Sequence, residues 1–216
     1  MRFAPIVLSA LVGFSTAAMP TFAADAVKLP APDKSLSVPL MTALEARASS
    51  RVFGPGAVAD EVLSDLLWSS IGVNRPDGRR TAPTALNRQE VDLYVVTAKG
   101  AWRYDAQNHA LHPVAEGNAL TLAAGTPKRR QAFVDTAALA LIYVGDTAKL
   151  PGSGEMPKRF VAVDAGMAAQ NALLYCAAKG LACVPRATMD SAALAKMLKL
   201  TDTQIPIVNV VVGNAK

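Results

Sequence analysis

The sequence predicts an α+β fold, and three observations carry that expectation. Apolar runs of strand length (91–97, 138–145 and 205–213) alternate with segments of helical periodicity, without a regular strand–helix–strand repeat. The turn "AKG" joins "VDLYVVT" to "AWRYD", the pattern of an antiparallel hairpin. Residues 159–180, "RFVAVDAGMAAQNALLYCAAKG", read as one long helix, apolar nearly all round and closed by Gly180.

The chain opens with Met1-Arg2, an uncharged apolar stretch over 3–18, and small residues ending in Ala-Asp-Ala. That is the pattern of a secretory signal peptide, here residues 1–26, with cleavage after Ala26 preferred over Ala23. The apolar core, broken by Pro5 and Pro20, is short for a membrane span. An exported, periplasmic protein without a membrane segment after cleavage is the expectation. Residues 27–39, rich in proline and polar groups, read as an extended arm, and 40–216 as a single domain.

Within that domain "LMTALEARA" (40–48) predicts a short helix. Residues 57–72 predict an amphipathic helix, with Val58, Val62, Leu66 and Leu67 at helical spacing. Residues 73–90 read as loop. After the hairpin, "KRRQAFVDTA" (128–137) reads as helix and "ALALIYVG" as a buried strand. The long helix follows; its apolar surface implies burial on every side, and Gln170 and Asn171 in its middle suggest packing against a second subunit. "LACVP" is a short strand, "MDSAALAKMLKL" a helix capped by Asp190, and "IPIVNVVVG" a last strand.

The chain carries 22 Lys and Arg against 17 Asp and Glu, and the net charge of +5 is spread out. Lys128-Arg129-Arg130 is the densest basic cluster and lacks the interleaved aromatics of a nucleic-acid surface, so nucleic acid is excluded as a partner. Cys176 and Cys183 allow a disulfide in an exported protein, but their spacing across a helix end favours two buried thiols. His109 and His112 have no acidic or sulfur ligand at metal-binding spacing, so no metal is expected. Phosphate-loop, Rossmann and nucleophile-elbow motifs are absent. So few nucleophiles and proton carriers point to an organic cofactor.

One short stretch remains. "RASSR" places Arg47, Ser49 and Arg51 on alternating positions, a grouping suited to an anion or to a solvated face. It is followed in order by "NRPDGRRTAPTALNRQE" (74–90), "DAGMAAQNALLYCAAKGLACVPRATMD" (164–190) and "IPIVNVVVG". Together these resemble the nitroreductase family of FMN-dependent oxidoreductases, in the branch related to thiazole/oxazole-forming dehydrogenases. The resemblance covers roughly residues 40–213. It implies a central, mostly antiparallel sheet flanked by helices, and a homodimer with the long helix at its interface. It implies FMN, with Arg47, Ser49 and Arg51 on the phosphate and Lys216 assisting. It sends the loop Pro83, Thr84, Ala85, Leu86 and Asn87 to the partner's flavin. It lays the backbone of Pro185, Arg186, Ala187 and Thr188 against the ring near N5. A small-molecule donor and acceptor would use one site in turn, by a ping-pong mechanism. A non-catalytic flavin- or anion-binding protein on the same fold is the other reading.

Overall fold

The computed structural model describes residues 25–216; the signal-sequence reading, apart from Asp25 and Ala26, lies outside them. Seven strands form one sheet: β1 (Val27–Lys28), β2 (Val91–Val96), β3 (Gly100–Asp105), β4 (Ala110–Glu116), β5 (Leu139–Asp146), β6 (Leu181–Arg186) and β7 (Gln204–Asn214). Their order is β1-β4-β3-β2-β5-β7-β6, and every neighbouring pair is antiparallel. The helices are α1 (Leu40–Ala46), α2 (Asp60–Ile71), α3 (Leu120–Ala123), α4 (Glu155–Lys179) and α5 (Ser191–Met197). The α+β expectation and the antiparallel sheet both hold.

Two cores lie on the two faces of the sheet. On one, Leu93, Leu141, Tyr143, Val210 and Val212 meet Leu66 and Leu67 of α2 and Ala165, Ala168, Ala172 and Cys176 of α4. On the other, Ile142, Val144, Val184 and Val211 meet Leu120, Val134 and Leu194. β5 buries both faces, which is why its sequence is an unbroken apolar run.

β4 escapes a sequence reading because Pro113 interrupts "ALHPVAE". The structure accommodates it at a register shift opposite Trp102, beyond the two residues that pair with β1, so no ladder bond needs its missing N–H. The two histidines serve this corner. His109 Nδ1 lies 2.8 Å from the Tyr104 hydroxyl, its Nε2 2.7 Å from Ser64 Oγ and 3.0 Å from the Pro30 carbonyl. Leu29 N donates to the His109 carbonyl and Ser64 Oγ to that of Pro30, so the arm is laid down against the sheet and α2. His112 faces Asp105 at 3.3 Å.

Two element boundaries are corrected. The long helix begins at Glu155, four residues before the expected start, because Pro157 sits in its first turn, where backbone N–H groups have no helical partner. The expected helix at 128–137 is a turn followed by a short 3-10 segment at Ala132–Thr136. Arg130 bonds to Thr121 and Asp135, and Gln131 N returns to the Ala124 carbonyl, so tertiary bonds displace the helical ladder there.

A third correction concerns α4. It is buried on one side and open on the other, where Met156, Phe160, Val163 and Met167 lie exposed at steps of four, three and four. By length and hydropathy alone it would span a bilayer, yet half of that stretch is buried inside the domain. Asp164 is buried, Gln170 is exposed, and half-buried Asn171 reaches the Ser70 carbonyl at 3.5 Å.

Candidate functional site

The segment after α1 runs along the free edge of β6. Arg47 ends α1, its N–H bonded to the Ala43 carbonyl, and Ser50 N donates to the Cys183 carbonyl at 2.8 Å. Phe53 then turns inward against Phe133, with ring centroids 6.4 Å apart, and against Gly213, where a Cβ would approach its ring to 3.0 Å. Arg47 is half-buried, while Ser49 and Arg51 are exposed. Among the described residues neither arginine has an ion-pair partner.

Both charges are nevertheless felt by their surroundings. Cys176 and Cys183 are buried, unbridged thiols beside one another. A hydrogen bond from Cys176 lowers the Cys183 thiol pKa, and the Arg47 charge adds to this; the same pairing, with burial, raises Cys176. Burial lowers the Arg186 pKa, and Arg51 lowers it further. Arg47 and Arg51 are thus two cations on this edge without an acidic partner among the described residues, a surplus that attracts an anion.

Ala48, Ser50 and Val52, on the alternate positions, line a cavity of about 500 Å³ with Gly180, Leu181 and Lys216. Lys216 is thus grouped with the even residues, and Arg47, Ser49 and Arg51 do not line that cavity.

At the far end of β6, Pro185 is half-buried, Ala187 exposed and Thr188 half-buried. The Arg186 side chain turns the other way. Its Nε donates to Gln131 Oε1 at 2.8 Å, Nη1 to the Ala123 carbonyl at 2.7 Å and to Asn209 Oδ1 at 3.2 Å, and Nη2 to the Ala124 carbonyl at 3.1 Å. The guanidinium also lies 5.5 Å from the Phe133 ring centroid. The Arg186 side chain is thus taken up inside the fold. Asn209 Nδ2 holds the Thr188 carbonyl at 3.1 Å. Gln131 and Asn209 were not recognised in the sequence, since nothing local marks them as partners of an arginine on another strand.

The loop at 83–87 is strained. Leu86, Asn87 and Gln89 all have positive φ, at 53°, 52° and 49°. Asparagine tolerates this region; leucine does so only where surrounding contacts hold it. Those contacts are present. Ala85 N donates to Asp164 Oδ2 at 2.7 Å, and Gln89 N donates to Thr84 Oγ1 at 2.9 Å. Pro83, Leu86 and Asn87 are left exposed, Leu86 at 72%.

Beneath the loop, Glu90 has no solvent exposure, and neither of its oxygens has a partner in fixed hydrogen-bond geometry. Burial and the adjoining Asp164 push its pKa up to about 7.

The family model for nitroreductases matches residues 44–214. The chain belongs to the nitroreductase family. As a member, it is an FMN-dependent oxidoreductase. The nitroreductase fold is also found in a putative nitroreductase from Ralstonia eutropha JMP134, 33% identical, covering 88% of this chain and 90% of that one, with a TM-score of 0.80. A putative nitroreductase in complex with FMN from Desulfovibrio desulfuricans is 22% identical over 82% of this chain and 87% of that one, with a TM-score of 0.60. The E. coli microcin synthetase McbBCD complex, with truncated pro-MccB17 bound, aligns over 97% of this chain and 85% of the other at 16% identity and a TM-score of 0.65. No curated protein matches this nitroreductase-family sequence.

Proposed function

We propose that the protein is an exported homodimer that holds FMN along the β6 edge, its phosphate on Arg47, Ser49 and Arg51 and its ring against the backbone of Pro185–Thr188. The observation that carries this is the pair of arginines without ion-pair partners on the segment that runs along β6, a strand whose end presents open main chain at Ala187. The donor set fits: two guanidinium forks and a hydroxyl suit a phosphate dianion, and the backbone at Ala187 is open to a ring. Bound there, FMN supplies hydride acceptance and donation at N5. The protein binds, orients and excludes water, and no side chain of this edge is assigned as acid or base. Donor and acceptor would enter one cleft in turn, which gives ping-pong kinetics. Lys216, which lines the cavity beside Ala48, Ser50 and Val52, is the further cation that would assist at the phosphate.

The phosphate role is tested by comparing two flavins. A hydrogen bond to a charged group contributes about 1.5–3 kcal/mol. Arg47→Ala should weaken FMN by about 10- to 150-fold while riboflavin, lacking the phosphate, changes little. Equal losses for both flavins in a fluorescence titration would remove Arg47 from the phosphate.

The dimer reading rests on the exposed stripe of Met156, Phe160, Val163 and Met167, with Leu40, Met41 and Leu44 of α1 also exposed. Under the same reading, the strained loop ending in Asn87 completes the partner's flavin site. Phe160→Asp would bury an unpaired charge in that interface. It should give a monomer in sedimentation that also loses FMN. A monomer that keeps native FMN affinity would show that each site is built within one chain. The export reading rests on the sequence of residues 1–26, and N-terminal sequencing of the native protein tests it.

A further inference from the structure

At the end of β6, next to the segment assigned to the flavin ring, a cavity of about 370 Å³ is lined by Thr126, Arg129, Ala187, Thr188 and Met189. Its walls come from two places in the chain: the loop after α3 and the strand end. One buried pair holds both. Arg186 binds the carbonyls of Ala123 and Ala124 and the Gln131 side chain, at either end of the loop. Asn209, itself bonded to Arg186, holds the Thr188 carbonyl on the other wall.

Gly125 sets the spacing between them. Its φ is +124°, and a Cβ there would collide with the Arg129 carbonyl oxygen and lie 3.2 Å from Thr188 Cγ2. The turn closes with Arg129 N donating to the Thr126 carbonyl at 2.9 Å. The cavity is therefore held on both sides.

Its chemistry is lopsided. Arg130 is bonded to Asp135 and Thr121. Arg129 is exposed and, among the described residues, has neither an ion-pair partner nor a side-chain hydrogen bond. No carboxylate lines the cavity, two threonines contribute hydroxyls, and Ala187 and buried Met189 supply apolar surface. An arginine without a partner beside apolar surface suits an amphiphile with an anionic end.

We propose that this cavity is the substrate site and that it selects small organic acids, with Arg129 binding the substrate's carboxylate and Arg186 positioning the loop that carries Arg129. The inference rests on the FMN reading for its redox role, because that reading places the ring against Pro185–Thr188.

The test uses a matched pair of probes, 4-nitrobenzoate and its neutral methyl ester, on FMN-reconstituted protein supplied with a chemical reductant. The native protein should prefer the acid. Arg129→Ala should lower the acid-over-ester ratio of kcat/KM by about 10- to 150-fold, the range for a lost charge-assisted bond, while FMN affinity stays native. Arg129→Lys should restore part of the preference. An unchanged ratio with FMN bound overturns the inference. Calorimetric titration of 4-nitrobenzoate into protein without flavin decides it separately from the FMN reading. Binding that is lost in Arg129→Ala supports the anion site even if FMN fails to bind, and binding indifferent to Arg129 overturns it.

Discussion

Replacing Arg186 with methionine should lower stability by about 3 kcal/mol, a loss of roughly 6–12 °C in Tm for a domain of this size. The side chain is 7% exposed and gives hydrogen bonds to two carbonyls and two side-chain oxygens. Methionine fills much of the volume and supplies no donor. The Ala123 carbonyl and Asn209 Oδ1 would then lose their guanidinium donor inside the fold, and the Ala124 carbonyl would keep only Gln131 N, which costs more than the lost bonds alone. Arg186→Lys should recover part of the loss, because one ammonium cannot reach all four acceptors of a planar fork. The damage should be local as well as global. Hydrogen exchange should speed at Gln131 N, whose acceptor is the Ala124 carbonyl. A thermal melt within 1–2 °C of the native protein, by the same scale, would show that water replaces the guanidinium at little cost.

The second large effect is a pH dependence centred on Glu90. Below its ordinary pKa of 4.5 the carboxyl is protonated in folded and unfolded chains alike. Between there and about 7 the unfolded chain releases a proton that the folded chain keeps, so stability falls as pH rises. Above about 7 the loss is complete, at about 3 kcal/mol from this group. Lys149, whose ammonium lies 3.4 Å from the Gln89 carbonyl, opposes the shift, and Asp164 reinforces it. Glu90→Gln keeps the shape and removes the proton. The difference in urea-unfolding free energy between variant and native protein should therefore grow in the variant's favour from pH 5 to pH 7 and level off above. Parallel curves would mean that Glu90 titrates normally. Because Asp164 also receives the Ala85 N–H, ionisation of Glu90 should loosen the 83–87 loop along with the fold.

Much of the architecture was legible beforehand because it is written in local pattern. The period-2 and continuous apolar runs marked β2, β5 and β7, and helical spacing marked α2. Asp190 capped α5 as expected, accepting from Ala193 N at 3.0 Å. The chemistry-bearing edge was legible in part. Alternation singled out Arg47, Ser49 and Arg51 as candidates, and the ordered motifs named the family that the comparison then showed.

What escaped depends on partners distant in the chain. α4 is an apolar helix in sequence, and only its packing shows that one side meets the sheet while Met156, Phe160, Val163 and Met167 remain outside. A basic run at 128–130 reads as helix until Arg186, more than fifty residues later, draws Gln131 and the Ala124 carbonyl to itself. Glu90 looks like an ordinary loop acid until Asp164 is placed against it in a fully buried position. By itself the sequence determined the elements with strong local periodicity and the family. Tertiary structure alone decided which of two adjacent arginines is bonded internally and which is left free, and which carboxyl keeps its proton. Those properties depend on burial and on the nearest charge in space, and neither is carried by neighbours along the chain.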